Sequence, residues 1–170
     1  MVTERKLTEV HGIGAVRRLQ TRNEIRAPID VVWDTLTQIE HVRHWWADGH
    51  IGSRVGERFQ LGGEEDLDGT IVTMMKPHIF AFTWHDSLEK AAHPEWIDAA
   101  TSSLVHFDLI EVAQDTTLLT LIQFSPIAGA LGAAAGWHHI FEMLTSYAES
   151  GEAVTTPNRF DELKQLYGYS

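Results

Sequence analysis

The chain of 170 residues is 44% hydrophobic and 22% charged, and it contains no cysteine. This composition is typical of one folded domain without disulfides, thiolate metal sites or a cysteine nucleophile. The formal net charge of −11 disfavours nucleic acid and anionic membrane surfaces as partners, because phosphate groups are bound by clustered Lys and Arg.

The N-terminus has no apolar core of secretory length, and no segment reaches the roughly 18 apolar residues of a membrane span. We therefore expect a cytoplasmic protein that does not enter a membrane.

The first strong pattern is the period-two alternation of residues 15–26, which predicts a strand with one wet face. Thr21 and Asn23 fall on its inner face, where they either bond to backbone or look into a hydrated cavity. Pro28 then favours the start of a helix whose apolar stripe includes Trp33. This pattern places Trp33 in the core.

A second short helix over residues 40–46 carries two more tryptophans and ends before Gly49. We expect Trp46 at the rim of a pocket, and the pattern leaves Trp45 undecided between core and rim.

The second half of the chain predicts antiparallel strands in "GTIVTMMKP", "HIFAFTWHD", "SSLVHFDLIEV" and "TTLLTLIQF", and then changes period. From Trp137 onwards the apolar residues follow helical spacing, while His138 and Glu142 fall on the opposite face, as expected for a solvated pair. Residues 160–167 predict a last short helix. This order predicts an α+β fold with its helices on one face of the sheet.

Several stretches, in order, carry a resemblance to a known family: "IRAPIDVVWDTLT", "HWWADG", "VGERFQLGG", "GTIVTMMKPHIFAFTW", "SSLVHFDLIEVAQDTTLLTLIQF", "GWHHIFEMLTSYAESGEAV" and "RFDELKQLY". Together they resemble the START-like (SRPBCC, helix-grip) superfamily, in the branch of homologues of the activator of the Hsp90 ATPase. The likeness covers residues 15–168. It implies a curved antiparallel β-sheet wrapped around a long C-terminal helix, with two short helices after the first strand. We read residues 1–14 as an N-terminal extension and 15–170 as a single START-like domain.

The chain departs from this family pattern in two places. The segment 86–101 is longer than a tight hairpin and carries Trp96, which suits a lid. Where the family often has a histidine near the end of the last strand, this chain has Gln123.

The resemblance implies a pocket between the sheet and the long helix. A cavity of about 300–1,000 Å³ would bind a small hydrophobic or aromatic ligand non-covalently, although a filled core explains each of these residues equally well. The residues expected to line it are Asn23, Trp46, Phe59, Met75, Phe82, Trp84, Phe107, Gln123, Trp137 and Phe141.

No catalytic group, cofactor or metal site is predicted. His41 and His44 are three residues apart on one helical face, but the segment lacks the glutamate of a recognised zinc helix. The strand alternation points His106 and Asp108 outward, away from any pocket.

Three other possibilities remain open on the sequence. One is a cyclase- or dehydratase-type enzyme acting on a polyketide-like substrate, with His50 or His85 moving protons. A lower alternative is a chaperone-associated interaction module. A homodimer is also possible, because Trp96 and the outward residues Leu118 and Ile122 could form an exposed apolar patch.

Overall fold

The protein is described by a computed structural model, which covers residues 4–13, 16–62, 67–86, 103–126 and 130–168. The segment 87–102, with Trp96, lies outside the described residues. The described strands are β1 (Thr8–Ile13), β2 (Val16–Ile25), β3 (Gly49–Ile51), β4 (Arg58–Leu61), β5 (Leu67–Met75), β6 (Ile79–Asp86), β7 (Ser103–Ala113) and β8 (Thr116–Pro126). The described helices are α1 (Ile29–Thr37), α2 (Ile39–Trp45), α3 (Ala130–Ser150) and α4 (Arg159–Tyr167).

The described strands form one antiparallel sheet in the order β1-β2-β8-β7-β6-β5-β4-β3. The predicted α+β architecture is confirmed, including the two short helices after the first predicted strand and the long helix near the C-terminus. Residues before the predicted first strand form the edge strand β1, in which Thr8 pairs with Thr21 of β2.

Helices α1 and α2 cover part of one face of the sheet with their apolar residues. Trp33 is 3% exposed, which confirms it as core. Trp45 is also buried, and its indole N–H donates to the Thr35 carbonyl oxygen at 3.0 Å. Because this bond satisfies the one polar atom of the ring, Trp45 belongs to the core.

The inner face of the sheet is set by strand alternation, which β7 shows most clearly. Val105, Phe107 and Leu109 are buried beneath α3. His106 and Asp108 point the other way, are half-exposed, and approach each other to 3.1 Å. The predicted outward direction of this pair is confirmed. No described helix is long and apolar enough to cross a membrane.

Candidate functional site

The space between sheet and α3 is occupied by a group of stacked rings, here called the aromatic cluster. Phe59 of β4 stacks on Phe82 of β6, with ring centroids 3.8 Å apart and planes 11° apart. Phe107 of β7 meets Trp137 of α3 edge to face at 6.1 Å. The members of the aromatic cluster are Trp46, Phe59, Phe80, Phe82, Phe107, Trp137 and Phe141.

Most of this cluster is closed to water, and one ring forms its open edge. Phe82, Phe107 and Phe141 are 0% exposed, so solvent does not reach them. Trp46, at the C-terminal end of α2, is only partly buried. Its ring lies edge to face on Trp137 at 5.5 Å and contacts Phe59 at 6.2 Å. Trp46 therefore stands between the buried rings and the solvent.

Two of the predicted polar residues are bonded to α3. The Trp137 indole N–H donates to Gln123 Oε1 at 2.6 Å, and both residues are buried. An indole N–H can only donate, so this bond fixes which end of the Gln123 amide faces the ring. Asn23 Nδ2 donates to Thr145 Oγ1 at 2.9 Å. Asn23 thus meets α3 through its own hydrogen bond.

Met75 lies on the surface, 60% exposed, and is not part of the aromatic cluster. The register of β5 against β6 shifts between Ile71 and Thr73, as in a β-bulge. A bulge reverses the alternation beyond it. Met74 therefore pairs with Phe80 and packs on the core in the place expected for Met75. The side chain of Trp84 lies outside the described residues.

A second group of side chains, here called the α3–α4 cluster, joins these two helices to the N-terminal segment. Its members are Glu4, His138, Glu142, Arg159 and Tyr167. The expectation of a solvated His138 was wrong, because His138 is 2% exposed. Helix α4 packs over this face of α3, which the periodicity of α3 alone does not reveal.

Hydrogen bonding in the α3–α4 cluster defines the state of His138. The Thr8 backbone N–H donates to the Tyr167 hydroxyl at 2.9 Å, so that hydroxyl is free to donate its proton to His138 Nδ1 at 3.0 Å. His138 Nε2 lies 3.3 Å from a Glu142 carboxylate oxygen. A neutral imidazole with its proton on Nε2 satisfies both contacts.

Glu4, His138 and Glu142 bring three potential metal-ligand atoms within 4.8 Å of one another. Arg159 already bonds to both carboxylates, with its Nε 2.9 Å from Glu142 Oε2 and its Nη2 against Glu4. These hydrogen bonds hold the pKa of Glu4 below its usual value. The guanidinium bonds to both carboxylates and offsets one of their two negative charges, so we assign the group a structural role.

This cluster predicts a stability that declines in mild acid. Burial lowers the pKa of His138 below its ordinary 6.5, against the opposing effect of the Glu142 carboxylate, while Arg159 lowers it and Glu4 raises it. Because the unfolded chain then binds the proton more readily, this stability is fully present above about pH 6.5, the unfolded pKa, and is lost progressively as pH falls from there through the lower folded pKa. The midpoint of urea denaturation should be lower at about pH 5.5 than at about pH 7.5. A plot of this midpoint against pH should have a flatter slope for His138→Gln than for the wild type. Equal slopes in the two proteins would contradict this assignment.

Three other candidate histidines, His41, His44 and His50, make no described ring contact with the aromatic cluster. His41 Nδ1 lies 3.1 Å from the Tyr147 hydroxyl, and His44 stacks on the same ring at 5.7 Å. These two side chains therefore fasten α2 to α3. His50 is exposed on β3, and the side chain of His85 lies outside the described residues.

An open groove of about 550 Å³ runs along β1 and β2, away from the aromatic cluster. It is lined by cations such as Arg5 and Arg22 and by the acids Glu9 and Glu24. Because the charges are mixed, the groove favours no single class of ligand.

With the fold and the aromatic cluster in place, comparison with known proteins identifies the class. The crystal structure of CalU16 from Micromonospora echinospora is 23% identical, has a TM-score of 0.72, and covers 95% of this chain and 93% of that one. A conserved protein of unknown function, EF2215 from Enterococcus faecalis, is 19% identical with a TM-score of 0.72, covering 94% and 87%. PFC0360w, an Hsp90 activator from Plasmodium falciparum, is 16% identical with a TM-score of 0.55, covering 90% and 97%. These similarities show a shared helix-grip fold.

Residues 26–149 match the family described as "Activator of Hsp90 ATPase homolog 1-like protein". The chain belongs to this family, as the sequence resemblance predicts. No protein with curated annotation matches it significantly.

Proposed function

We propose that this domain binds a small hydrophobic or aromatic molecule non-covalently between the sheet and α3, and that the ligand enters at Trp46. The observation that carries the proposal is the position of Trp46. Its half-buried ring covers an aromatic cluster whose inner rings are closed to water. A flat apolar ligand that displaces Trp46 would gain the edge-to-face contact that Trp137 now makes with it.

The chemistry of the cluster supports binding better than catalysis. Its members are aromatic rings, and among the described residues the amide of Gln123 is bonded to one of them, Trp137. An amide can orient a ligand, but it does not exchange protons near neutral pH. His50, one of the two candidates for an enzyme of the cyclase type, is exposed on β3. Ligand binding without chemical conversion therefore agrees best with the described residues.

The closed interior has a kinetic consequence that tests this proposal. The Trp46 ring must leave Trp137 and Phe59 before a ligand enters, and each aromatic pair contributes about 0.5–1.5 kcal/mol beyond its buried area. In Trp46→Ala, association of 2-naphthol should therefore be about tenfold faster than in the wild type. Stopped-flow measurement of naphthol emission gives this rate.

Ile110→Ala is the matched control, because it also removes an apolar side chain, one that is 55% exposed on the outer face of β7. It should leave the rate unchanged. A wild-type protein that shows no saturable binding of 2-naphthol would overturn the proposal. Equal rates in wild type and Trp46→Ala would overturn the entrance at Trp46.

A further inference from the structure

One buried hydroxyl lies on the inner face of the sheet without a hydrogen-bond partner. Ser103, the first residue of β7, is 3% exposed, and within the described ranges its Oγ has no donor or acceptor to bond. A buried polar atom of this kind is normally satisfied, because leaving it unpaired opposes folding. The exception needs a physical reason.

The position of Ser103 relates it to the aromatic cluster. Val105 is paired with Gln123 of β8, and Ser103 lies two residues before Val105 on the same face. Diagonal neighbours of this kind have backbones about 7–8 Å apart, a separation that one ligand atom can bridge. Gln123 in turn accepts the Trp137 N–H. Ser103 therefore lies near the polar end of an otherwise aromatic interior.

The hydrogen-bonding groups available there define what could satisfy Ser103. The Ser103 hydroxyl can donate one bond and accept others, and Gln123 Oε1 accepts from Trp137, so the amide nitrogen is the end of Gln123 that can donate to a ligand. A hydroxyl and an amide nitrogen that both donate to one ligand atom would suit an oxygen with free lone pairs. A carbonyl or phenolic oxygen has these, and a hydrocarbon does not.

We infer that Ser103 and Gln123 form a polar subsite that binds one carbonyl or phenolic oxygen of a ligand whose aromatic body lies against Trp137. This inference rests on the proposed function, since it specifies the ligand of the same interior. In this proposal the Ser103 hydroxyl has no hydrogen-bond partner in the ligand-free protein, and the bound ligand supplies one.

The test compares 2-naphthol with naphthalene, two probes that differ by one hydroxyl, in calorimetric titrations of the full chain. In Ser103→Ala the affinity ratio of 2-naphthol to naphthalene should fall about fivefold from the wild-type ratio, the equivalent of one neutral hydrogen bond. Ser103→Thr keeps a hydroxyl and should keep the wild-type ratio. The naphthalene affinity itself should be the same in all three proteins.

The outcomes separate this inference from the proposed function. An unchanged ratio in Ser103→Ala overturns the polar subsite and leaves hydrophobic binding in place. Failure of both probes to bind overturns both. As an independent readout, the melting temperature of ligand-free Ser103→Ala should rise, because the substitution removes an unsatisfied buried hydroxyl. A decrease would show that the protein itself satisfies Ser103, and would also overturn the subsite.

Discussion

Phe82→Ala is expected to lower the free energy of unfolding by about 3–5 kcal/mol, the typical cost of truncating a fully buried aromatic ring. Phe82 is 0% exposed, and among the described residues it contacts three other rings: it stacks on Phe59 at 3.8 Å and meets Phe80 and Phe107 at 5.3 and 6.3 Å. Its removal takes away apolar burial and leaves a cavity that β4 and β6 cannot close without breaking their pairing with neighbouring strands. Urea denaturation followed by circular dichroism measures the change.

Phe124→Ala is the control for this prediction. Phe124 is 38% exposed and points away from α3, so the same truncation should cost about 1 kcal/mol or less. If Phe82→Ala cost no more than Phe124→Ala, the interior would be loosely filled in solution, contrary to the ring contacts described above.

Tyr167→Phe is expected to cost about 2–4 kcal/mol, because it leaves two buried groups without a partner at about 1–3 kcal/mol each. The Tyr167 hydroxyl accepts the Thr8 backbone N–H at 2.9 Å and lies 3.0 Å from His138 Nδ1. Thr8 and His138 are each 2% exposed, so water cannot replace the lost bonds without local opening. The same urea denaturation gives the value.

Tyr147→Phe is the control for this prediction, because it removes a tyrosine hydroxyl from a more solvent-exposed position. The Tyr147 hydroxyl lies 3.1 Å from His41 Nδ1, but both side chains are partly exposed and water can replace the bond. Its loss should cost about 1 kcal/mol or less. Equal costs for the two tyrosines would contradict the special role of Tyr167 in joining β1, α3 and α4.

The arrangement of strands and helices could be predicted from the sequence because local patterns encode it. The alternation through Val105, Phe107 and Leu109 gave the inner face of β7, and helical spacing from Trp137 gave the buried stripe of α3. Both patterns record which side of one element is dry, and they require no knowledge of its neighbours.

Two positions were misplaced because their environment depends on another element. Met75 lies outside because a bulge after Ile71 reverses the alternation, and a bulge is a matter of pairing between strands. His138 is buried because α4 packs over the polar face of α3, although the spacing of α3 alone predicts a solvated histidine. Tertiary packing decides both cases.

The sequence predicted which aromatic residues lie in the candidate site, but it did not predict which of their rings contact one another. Composition and spacing placed Phe59, Phe82 and Phe107 in the interior, whereas the stacking of the first two and the rim position of Trp46 depend on distances between elements. Ser103 was missed altogether. Its hydroxyl stands on the inward register of β7, and that parity was the signal that could have identified it.

The most direct test of the proposed function is a two-dimensional ¹⁵N NMR titration of the protein with 2-naphthol, read at the indole N–H signals of its six tryptophans. Ligand binding in the aromatic cluster predicts saturable shifts for Trp46 and Trp137. Trp33 should be unchanged, because among the described residues its ring meets the cluster at Phe80 alone, 6.3 Å away. Shifts confined to exposed backbone amides, with the Trp46 and Trp137 signals unmoved at saturation, would contradict a ligand site between the sheet and α3.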